Sequence, residues 1–236
     1  MAISREIQKL VADTPFVDTH EHLHDESLRV KGLKAGVFSG LAAPDFGMLF
    51  GHYADSDLQV AGMKSEDYAK LIGYDLAPKD KWKLLEPYYE RARHTGYLRN
   101  VRESVRMLYD EDDVREDNCE AMSKKLKDLI QPGYYEHVLR KVANIEYCQV
   151  NYLAEGGPVF KLTENPALLM QDISTVPLST GLDVKKVSRI ANREAATLKD
   201  WHEIIDWCFS TYGPKAIATK NQCAYGRRLD FALVPA

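Results

Sequence analysis

The longest regular pattern of apolar and polar positions is a helical one that runs from Ser65 to Val142. Within it, Trp82, Leu85 and Tyr89 recur at helix spacing and form an apolar stripe, which is typical of a helix that packs on a core. The pattern predicts helical segments near Asp67–Ile72, Lys79–Arg93, Tyr97–Tyr109, Arg115–Ile130 and Gly133–Val142. We interpret the whole stretch as one helical block.

Shorter apolar runs, bounded by turn residues, flank this helical block. They predict strands at Phe16–Thr19, Ile145–Val150, Ala167–Val176 and Ala216–Thr219, the third of them after a Gly-Gly-Pro turn. Helical patterns occupy Ser4–Ala12, Asp183–Ala191 and Leu198–Tyr212. Strands that alternate with helices form parallel sheets, whose carboxyl ends gather functional residues, so we predict an α/β fold with its site at that end.

The stretch from Gly32 to Met63 has no sustained period and is rich in glycine with scattered aromatics. We interpret it as a long ordered loop. Loops of this length are uncommon in compact domains unless they are functional, which makes His52 a candidate for lining a site. A role in a turn or a helix cap is the alternative interpretation for His52 and its acidic neighbours.

The composition and the net charge of the chain narrow the classes of partner that it is expected to bind. Of the 236 residues, 45% are hydrophobic and 28% are charged, and the net charge is -4, so we expect a globular chain of one domain with no nucleic-acid or membrane surface. The first residues lack the apolar core of a signal peptide, and no run reaches the length of a membrane span. The near-balanced charge makes a small molecule the expected partner. The four cysteines are widely spaced, so we expect the cytoplasm as compartment.

The densest cluster of candidate ligands lies at Pro15–Asp25, where three histidines and three carboxylates follow the apolar start of the first strand. Side chains alternate between the faces of an extended chain, so His20 and His22 project together, with Asp18 deeper on the same face. Two neutral imidazoles suit a borderline divalent ion such as zinc, and Asp18 could orient a ligand. His24 belongs to the following loop or to a substrate contact. A solvated polar turn is the alternative interpretation of the whole stretch.

Lys220 follows the predicted strand Ala216–Thr219, so it lies at a carboxyl end, as His20 and His22 do. Because the carboxyl ends of parallel strands meet at one edge of a sheet, this agreement favours the metal site over the polar turn.

These residues resemble the metal-dependent amidohydrolase superfamily, specifically its amidohydrolase 2 type with the uronate isomerases and fungal FluG-like proteins. The resemblance covers most of the chain, and a shared structural context supports it. It rests on the strand motif Phe16–Leu23, on the helical segments Lys81–Trp82, Glu86–Tyr88 and Thr95–Tyr97, and on Lys220 with Ala224–Tyr225 and Arg227–Leu229.

The resemblance implies a TIM (β/α)8 barrel in which His20, His22 and Lys220 surround one or two divalent ions, most simply zinc, with manganese as the other choice. Lys220 would be carboxylated and would bridge two metals, or would stay unmodified and hold a substrate carboxylate. Arg227, His52 and His24 are the candidate substrate contacts, with a surface role as the alternative for Arg227. The implied reaction is hydrolysis of a C–N or C–O bond of a small polar or carboxylate-bearing substrate by a metal-activated water.

The sequence departs from the family pattern after Lys220. Four predicted strands are half of a barrel, residues 65–142 form a helical insertion within the single predicted domain 1–236, and a complete barrel needs about 250 residues. The later histidines and the final aspartate of the family pattern have no counterpart. We therefore expect the N-terminal part of a barrel, completed by more chain, by a homo-oligomer or by a second chain. A uronate-isomerase-like enzyme, a phosphotriesterase-like lactonase and a noncatalytic subunit are the alternative functions.

Overall fold

The computed structural model describes residues 4–31, 42–151, 159–179 and 183–232. The α-helices are α1 (Arg5–Asp13), α2 (Glu26–Val30), α3 (Ala54–Val60), α4 (Ser65–Ile72), α5 (Pro78–Ala92), α6 (Gly96–Tyr109), α7 (Cys119–Leu129), α8 (Val176–Ser179), α9 (Val184–Ala191) and α10 (Leu198–Tyr212). The strands are β1 (Phe16–Glu21), β2 (Ile145–Val150), β3 (Leu169–Gln171), β4 (Ile173–Ser174) and β5 (Thr219–Lys220). Short 3-10 helices lie at Phe46–Phe50, Gly213–Lys215 and Cys223–Tyr225, and a π-helix lies at Glu136–Val142. The predicted turn at 156–158 and residues 32–41 of the predicted loop lie outside the described residues.

The chain divides into two compact units. The first, which we call the strand unit, comprises Met1–Asp25 and Asn144–Ala236. The second, which we call the helical unit, comprises Glu26–Ala143 and contains the predicted helical block. All five strands belong to the strand unit, so the candidate ligands that follow them belong to it as well.

The strands of the strand unit are parallel and follow one another in chain order. β1 pairs with β2, and β2 pairs with β3, with Phe16 opposite Ile145 and Cys148 opposite Leu169. β4 pairs with β5, so that Ser174 lies opposite Lys220.

Asp172 alone separates β3 from β4. Its backbone N–H donates to the carbonyl of Val150 at 3.1 Å, on the β2 side, whereas the N–H of Ile173 donates to the carbonyl of Ala218 at 2.9 Å, on the β5 side. Residues 169–174 therefore act as one extended segment between β2 and β5, and the carboxyl ends of the strands point the same way.

Helices of the strand unit are set by local signals in the sequence. Ser4 caps α1 by accepting a hydrogen bond from the N–H of Ile7, and Thr197 and Asp200 form a reciprocal capping box at the start of α10. A hydrophobic core of the strand unit packs β4 against the later helices, with Ile173, Val187 and Ile204 at its centre.

The helical unit has its own core. It includes the predicted stripe of α5, since Trp82, Leu85 and Tyr89 are all buried. The interpretation of the preceding stretch as a loop is wrong for its described part: Asp45 caps a 3-10 helix whose Phe46 and Phe50 are fully buried. Both elements in this stretch, that turn and α3, are too short to give the sequence a sustained period.

The predicted α/β class with parallel strands is confirmed. Ile145–Val150 has the predicted bounds, whereas the strand predicted at Ala167–Val176 is shortened and divided, and the last strand is displaced to Thr219–Lys220. The strands in the described part of the chain form a three-stranded and a two-stranded sheet and do not close into a barrel.

In the described ranges, each helix is too short or too polar to cross a membrane.

Candidate functional site

The carboxyl ends of the strands bring together residues from three separate parts of the sequence. His20 and Glu21 end β1, and His22 follows them. Asn151 follows β2 directly, and Lys220 ends β5. The parallel order of the strands therefore assembles the candidate site.

The two predicted metal ligands lie side by side. The ring centroids of His20 and His22 are 4.6 Å apart, and the ring planes are nearly perpendicular. Nδ1 of His22 lies 3.2 Å from the backbone carbonyl oxygen of Asn151. Nδ1 of His20 is buried and has no hydrogen-bond partner among the described residues, which is unusual for a buried polar atom.

Burial and charge keep His20 neutral. Burial lowers the pKa of His20, and charge interactions with Lys220 and His22 lower it further, while Asp172 and Asp18 act in the opposite direction. These influences place Lys220 and Asp172 within electrostatic range of His20. Neutral imidazole is the form that ligates a metal.

Asp18 and Glu21 form a carboxyl pair at the same end of β1. Burial, a hydrogen bond with Asp18 and the charge of Asp18 together raise the pKa of Glu21 to about 7, with burial the largest cause. Asp18 also accepts a hydrogen bond from the backbone N–H of His20 at 3.2 Å. Asp18 thus contacts the backbone of one candidate ligand, and its predicted role in orienting a ligand stays a prediction.

Asp172 is a fully buried carboxylate surrounded by carboxamide donors. Asn151 donates to it at 2.7 Å, and Gln149 and Gln171 lie at 3.4 Å. Burial raises the pKa of Asp172, while the hydrogen bonds from Asn151 and Gln149 and the charge of Lys220 act to lower it. The donors and the nearby cation compensate part of the cost of burying this carboxylate.

No protein-family model and no curated protein sequence matches the chain significantly.

Among the described residues, the side chains at the strand ends include donors of the type that a divalent ion prefers, but fewer of them than a complete site uses. The buried, orphaned Nδ1 of half-buried His20 and the adjacent ring of His22 are nitrogen donors of the kind that zinc prefers. Within the described ranges, no group of three or more His, Cys, Asp or Glu side chains is arranged to hold an ion. Since catalytic zinc sites use three protein ligands, the two imidazoles supply part of such a set.

His24 and Arg227, two of the predicted substrate contacts, belong to the strand unit. His24 lies in the loop that follows β1 and is buried. Arg227 is exposed, its Nη1 lies 3.4 Å from the carbonyl oxygen of Ser179, and its guanidinium lies 4.5 Å from the ring centroid of Phe231. The substrate role of both residues stays a prediction.

His52, the third predicted substrate contact, belongs to the helical unit. It has a left-handed backbone conformation, with φ of 57°, and its ring stacks on Tyr53 at a centroid distance of 4.3 Å. Its role in binding substrate stays a prediction.

Sequence reasoning missed Asn151, Asp172 and Gln222. Asn151 directly follows a correctly bounded strand, so the rule that polar residues at carboxyl strand ends form sites would have found it. Asp172 lay inside a run interpreted as continuous strand, where a buried carboxylate is not expected. Gln222 lies two residues beyond Lys220 and carries no motif of its own.

Proposed function

We propose that this chain belongs to a metal-dependent hydrolase of the amidohydrolase type, which cleaves a C–N or C–O bond of a small polar or carboxylate-bearing substrate. One observation carries the proposal: His20, with an orphaned buried Nδ1, lies beside His22 and within electrostatic range of Lys220 and Asp172 at the carboxyl ends of parallel strands. Clusters of titratable groups with perturbed pKa values are typical of functional sites.

In this proposal, His20 and His22 hold the ion through imidazole nitrogens, which favours zinc and admits manganese. When bound, a divalent ion would lower the pKa of a coordinated water and polarise the scissile carbonyl. Two imidazoles do not complete the ligand set, so a carboxylated Lys220, another part of the protein or a second chain provides the rest.

In the proposed site, Lys220 and Asp172 act through their opposite charges. As an unmodified ammonium, Lys220 attracts the carboxylate of a substrate toward the strand ends. Asp172, fixed by three carboxamides, counters that positive charge and the charge that His20 would carry if protonated. Lys220 and Asp172 together thereby orient an anionic substrate without causing the imidazoles to be protonated.

The (β/α)8 barrel is part of the same proposal. Four parallel segments in chain order, with 169–174 in the middle, match the order of successive barrel strands. Ile7, Leu10 and Val11 of α1 and Phe16 of β1 are exposed apolar side chains that further strands and helices would cover. The cytoplasm remains the proposed compartment, in keeping with four buried, unpaired thiols.

A noncatalytic subunit is the second candidate function. The observation that favours it is the incomplete ligand set, since the described residues bring two imidazoles together without a third ligand. Such a chain would bind the ion only with a partner.

The experiment is hydrolysis by chelator-treated protein before and after addition of zinc, on a panel of N-acyl amino acids and lactones. We expect turnover that requires zinc and is lost in His20→Ala. The matched control is His202→Ala, because His202 is an exposed histidine on α10 of the same unit, and it should keep the wild-type rate. Equal rates with and without zinc, or in His20→Ala, would contradict the proposal. Zinc binding without turnover of any substrate would favour the noncatalytic candidate, and interconversion of sugar acids would indicate an isomerase.

A further inference from the structure

Asn151 connects three segments of the strand unit. It is 1% exposed, and each of its four polar groups has a different partner. Its backbone N–H donates to the carbonyl of Glu21 at 2.8 Å, and its own carbonyl oxygen lies 3.2 Å from Nδ1 of His22. Its side-chain Nδ2 donates to Asp172 at 2.7 Å, and its Oδ1 accepts from Nε2 of Gln222 at 2.9 Å. One buried residue thus joins the ends of β1 and β5 to the junction of β3 and β4.

The backbone contact defines the tautomer of His22. A carbonyl oxygen only accepts hydrogen bonds, so Nδ1 of a neutral His22 must carry the proton in order to donate to Asn151. Nε2 then carries the lone pair. A metal-binding histidine commonly has this arrangement, with its other ring nitrogen donating to a backbone carbonyl that fixes the ring.

The side-chain contacts define the orientation of the Asn151 amide and the position of Asp172. An ionised carboxylate only accepts, so Nδ2 of Asn151 must face Asp172. Gln222 donates to the opposite side of the amide, which requires the same orientation. Asp172 acts electrostatically on both His20 and Lys220, so a displacement of its carboxylate would change the electrostatic environment of both residues.

We infer that Asn151 is a positioning residue: it holds His22 in the Nδ1-protonated tautomer and fixes the Asp172 carboxylate beside His20 and Lys220. Its role is indirect, because its hydrogen-bond contacts are with protein groups at the strand ends. The consequence for zinc affinity rests on the function proposed above, whereas the tautomer of His22 does not.

The test is ¹⁵N NMR of histidine-labelled, zinc-free protein, in which the His22 signals are identified by their absence in His22→Gln. The wild type should show His22 protonated at Nδ1. Asn151→Ala keeps the backbone carbonyl that faces His22 but removes the amide that ties this residue to Asp172 and Gln222. The carbonyl is then held less firmly, and we expect a mixture of both tautomers. Zinc affinity, measured by competition with a chelating dye, should fall roughly 10- to 100-fold, as for other residues that support metal ligands.

Gln222→Ala keeps the inference testable should Asn151→Ala fail to fold, because Gln222 is half-buried and its loss removes one donor to the Asn151 amide. It should change the tautomer and the zinc affinity in the same direction by a smaller factor. The matched control is Asn118→Ala in the helical unit. Asn118 is also buried and donates to the carbonyl of Asp113 at 2.9 Å, so its loss should lower stability in urea and leave both readouts unchanged.

Two results would overturn the inference: a wild-type His22 protonated at Nε2, or wild-type tautomer and affinity in both Asn151→Ala and Gln222→Ala. A wild type that binds no zinc, yet shows the Nδ1 tautomer and loses it in Asn151→Ala, would overturn the proposed function and support the positioning role.

Discussion

Individual charges at the strand ends determine what the site can bind. Burial of His20 and its charge interactions with Lys220 and His22 lower the pKa of His20 more than the carboxylates Asp172 and Asp18 raise it, so the imidazole is neutral. A neutral imidazole beside a buried carboxylate and an ammonium can accept a divalent ion and attract an anion. The balance depends on Asp172, whose burial is compensated by hydrogen bonds from neighbouring carboxamides.

Glu21 gives this part of the strand unit a characteristic pH dependence. Its pKa is raised from 4.5 to about 7, chiefly by burial and then by Asp18. Below pH 4.5 the carboxyl is protonated in both the folded and the unfolded state. Between pH 4.5 and 7 the folded state retains a proton that the unfolded state releases, so this contribution to stability is lost as the pH rises through 7.

We predict that Glu21→Gln removes this pH dependence, since the glutamine side chain is neutral throughout and can donate to Asp18 as a protonated glutamate does. In zinc-free protein the variant should match the wild type at pH 4.5 and exceed its free energy of unfolding at pH 8. The gain should be about 1 kcal/mol, because solvent screens a half-buried group. Urea denaturation at the two pH values measures the difference.

A difference between Glu21→Gln and the wild type that stays constant from pH 4.5 to pH 8 would contradict this account of Glu21. Glu6→Gln on exposed α1 is the control for removing a carboxylate, and it should show no such dependence on pH.

The sequence indicated the candidate ligands more readily than the residues that surround them. Strand alternation predicted that His20 and His22 project together, and their rings do lie 4.6 Å apart. Asn151 and Asp172 could not be recognised as a pair from the sequence, because their contact depends on the strand register and on the break between β3 and β4. Side-chain hydrogen bonds between distant residues leave no periodic signal.

At the scale of elements, a buried lysine connects α5 to the segments that precede it. Lys81 is 0% exposed, and its ammonium donates to Asp45 and to the carbonyl of Gly73, both at 2.6 Å. Asp45 also caps the 3-10 helix at Phe46–Phe50. Burial raises the pKa of Asp45 although Lys81 acts to lower it, so the carboxylate depends on its partner.

We predict that Lys81→Met lowers the free energy of unfolding of the helical unit by about 3–5 kcal/mol, because it leaves Asp45 without a compensating charge. The double variant Lys81→Met/Asp45→Asn should recover much of that loss, since both charges are removed. Far-UV circular dichroism in urea measures both effects.

The matched control is Lys83→Met on the same helix. Lys83 is exposed and lies 3.6 Å from Asp80, so its replacement should leave stability nearly unchanged. Equal losses in Lys81→Met and Lys83→Met, or no recovery in the double variant, would show that the buried pair does not hold α5.

Helical elements were predictable where the pattern was long. The stripe Trp82, Leu85 and Tyr89 is buried as expected, because a helix of four turns repeats its period often enough to be recognised. Lys81 was not predictable, since long charged side chains are rarely fully buried. Phe46 and Phe50 were assigned to a loop because a single 3-10 turn repeats nothing.

On the scale of the whole molecule, the chain separates into a strand unit and a helical unit, each with a core of its own. The sequence predicted a helical block between the first two strands, because that block has its own period. The sequence could not give the division of the third predicted strand at Asp172, which depends on pairing with two different neighbours. The candidate ligands all follow strands of one unit, so the strand unit carries the proposed chemistry.

The central claim is that His20 and His22 hold a divalent ion, and equilibrium dialysis of purified protein against zinc, followed by metal analysis, tests it most directly. The account predicts that the wild type retains zinc, that His20→Ala and His22→Ala each lose it, and that His202→Ala retains it as the wild type does. A wild type that retains no zinc, or a His20→Ala variant that retains as much as the wild type, would contradict the claim.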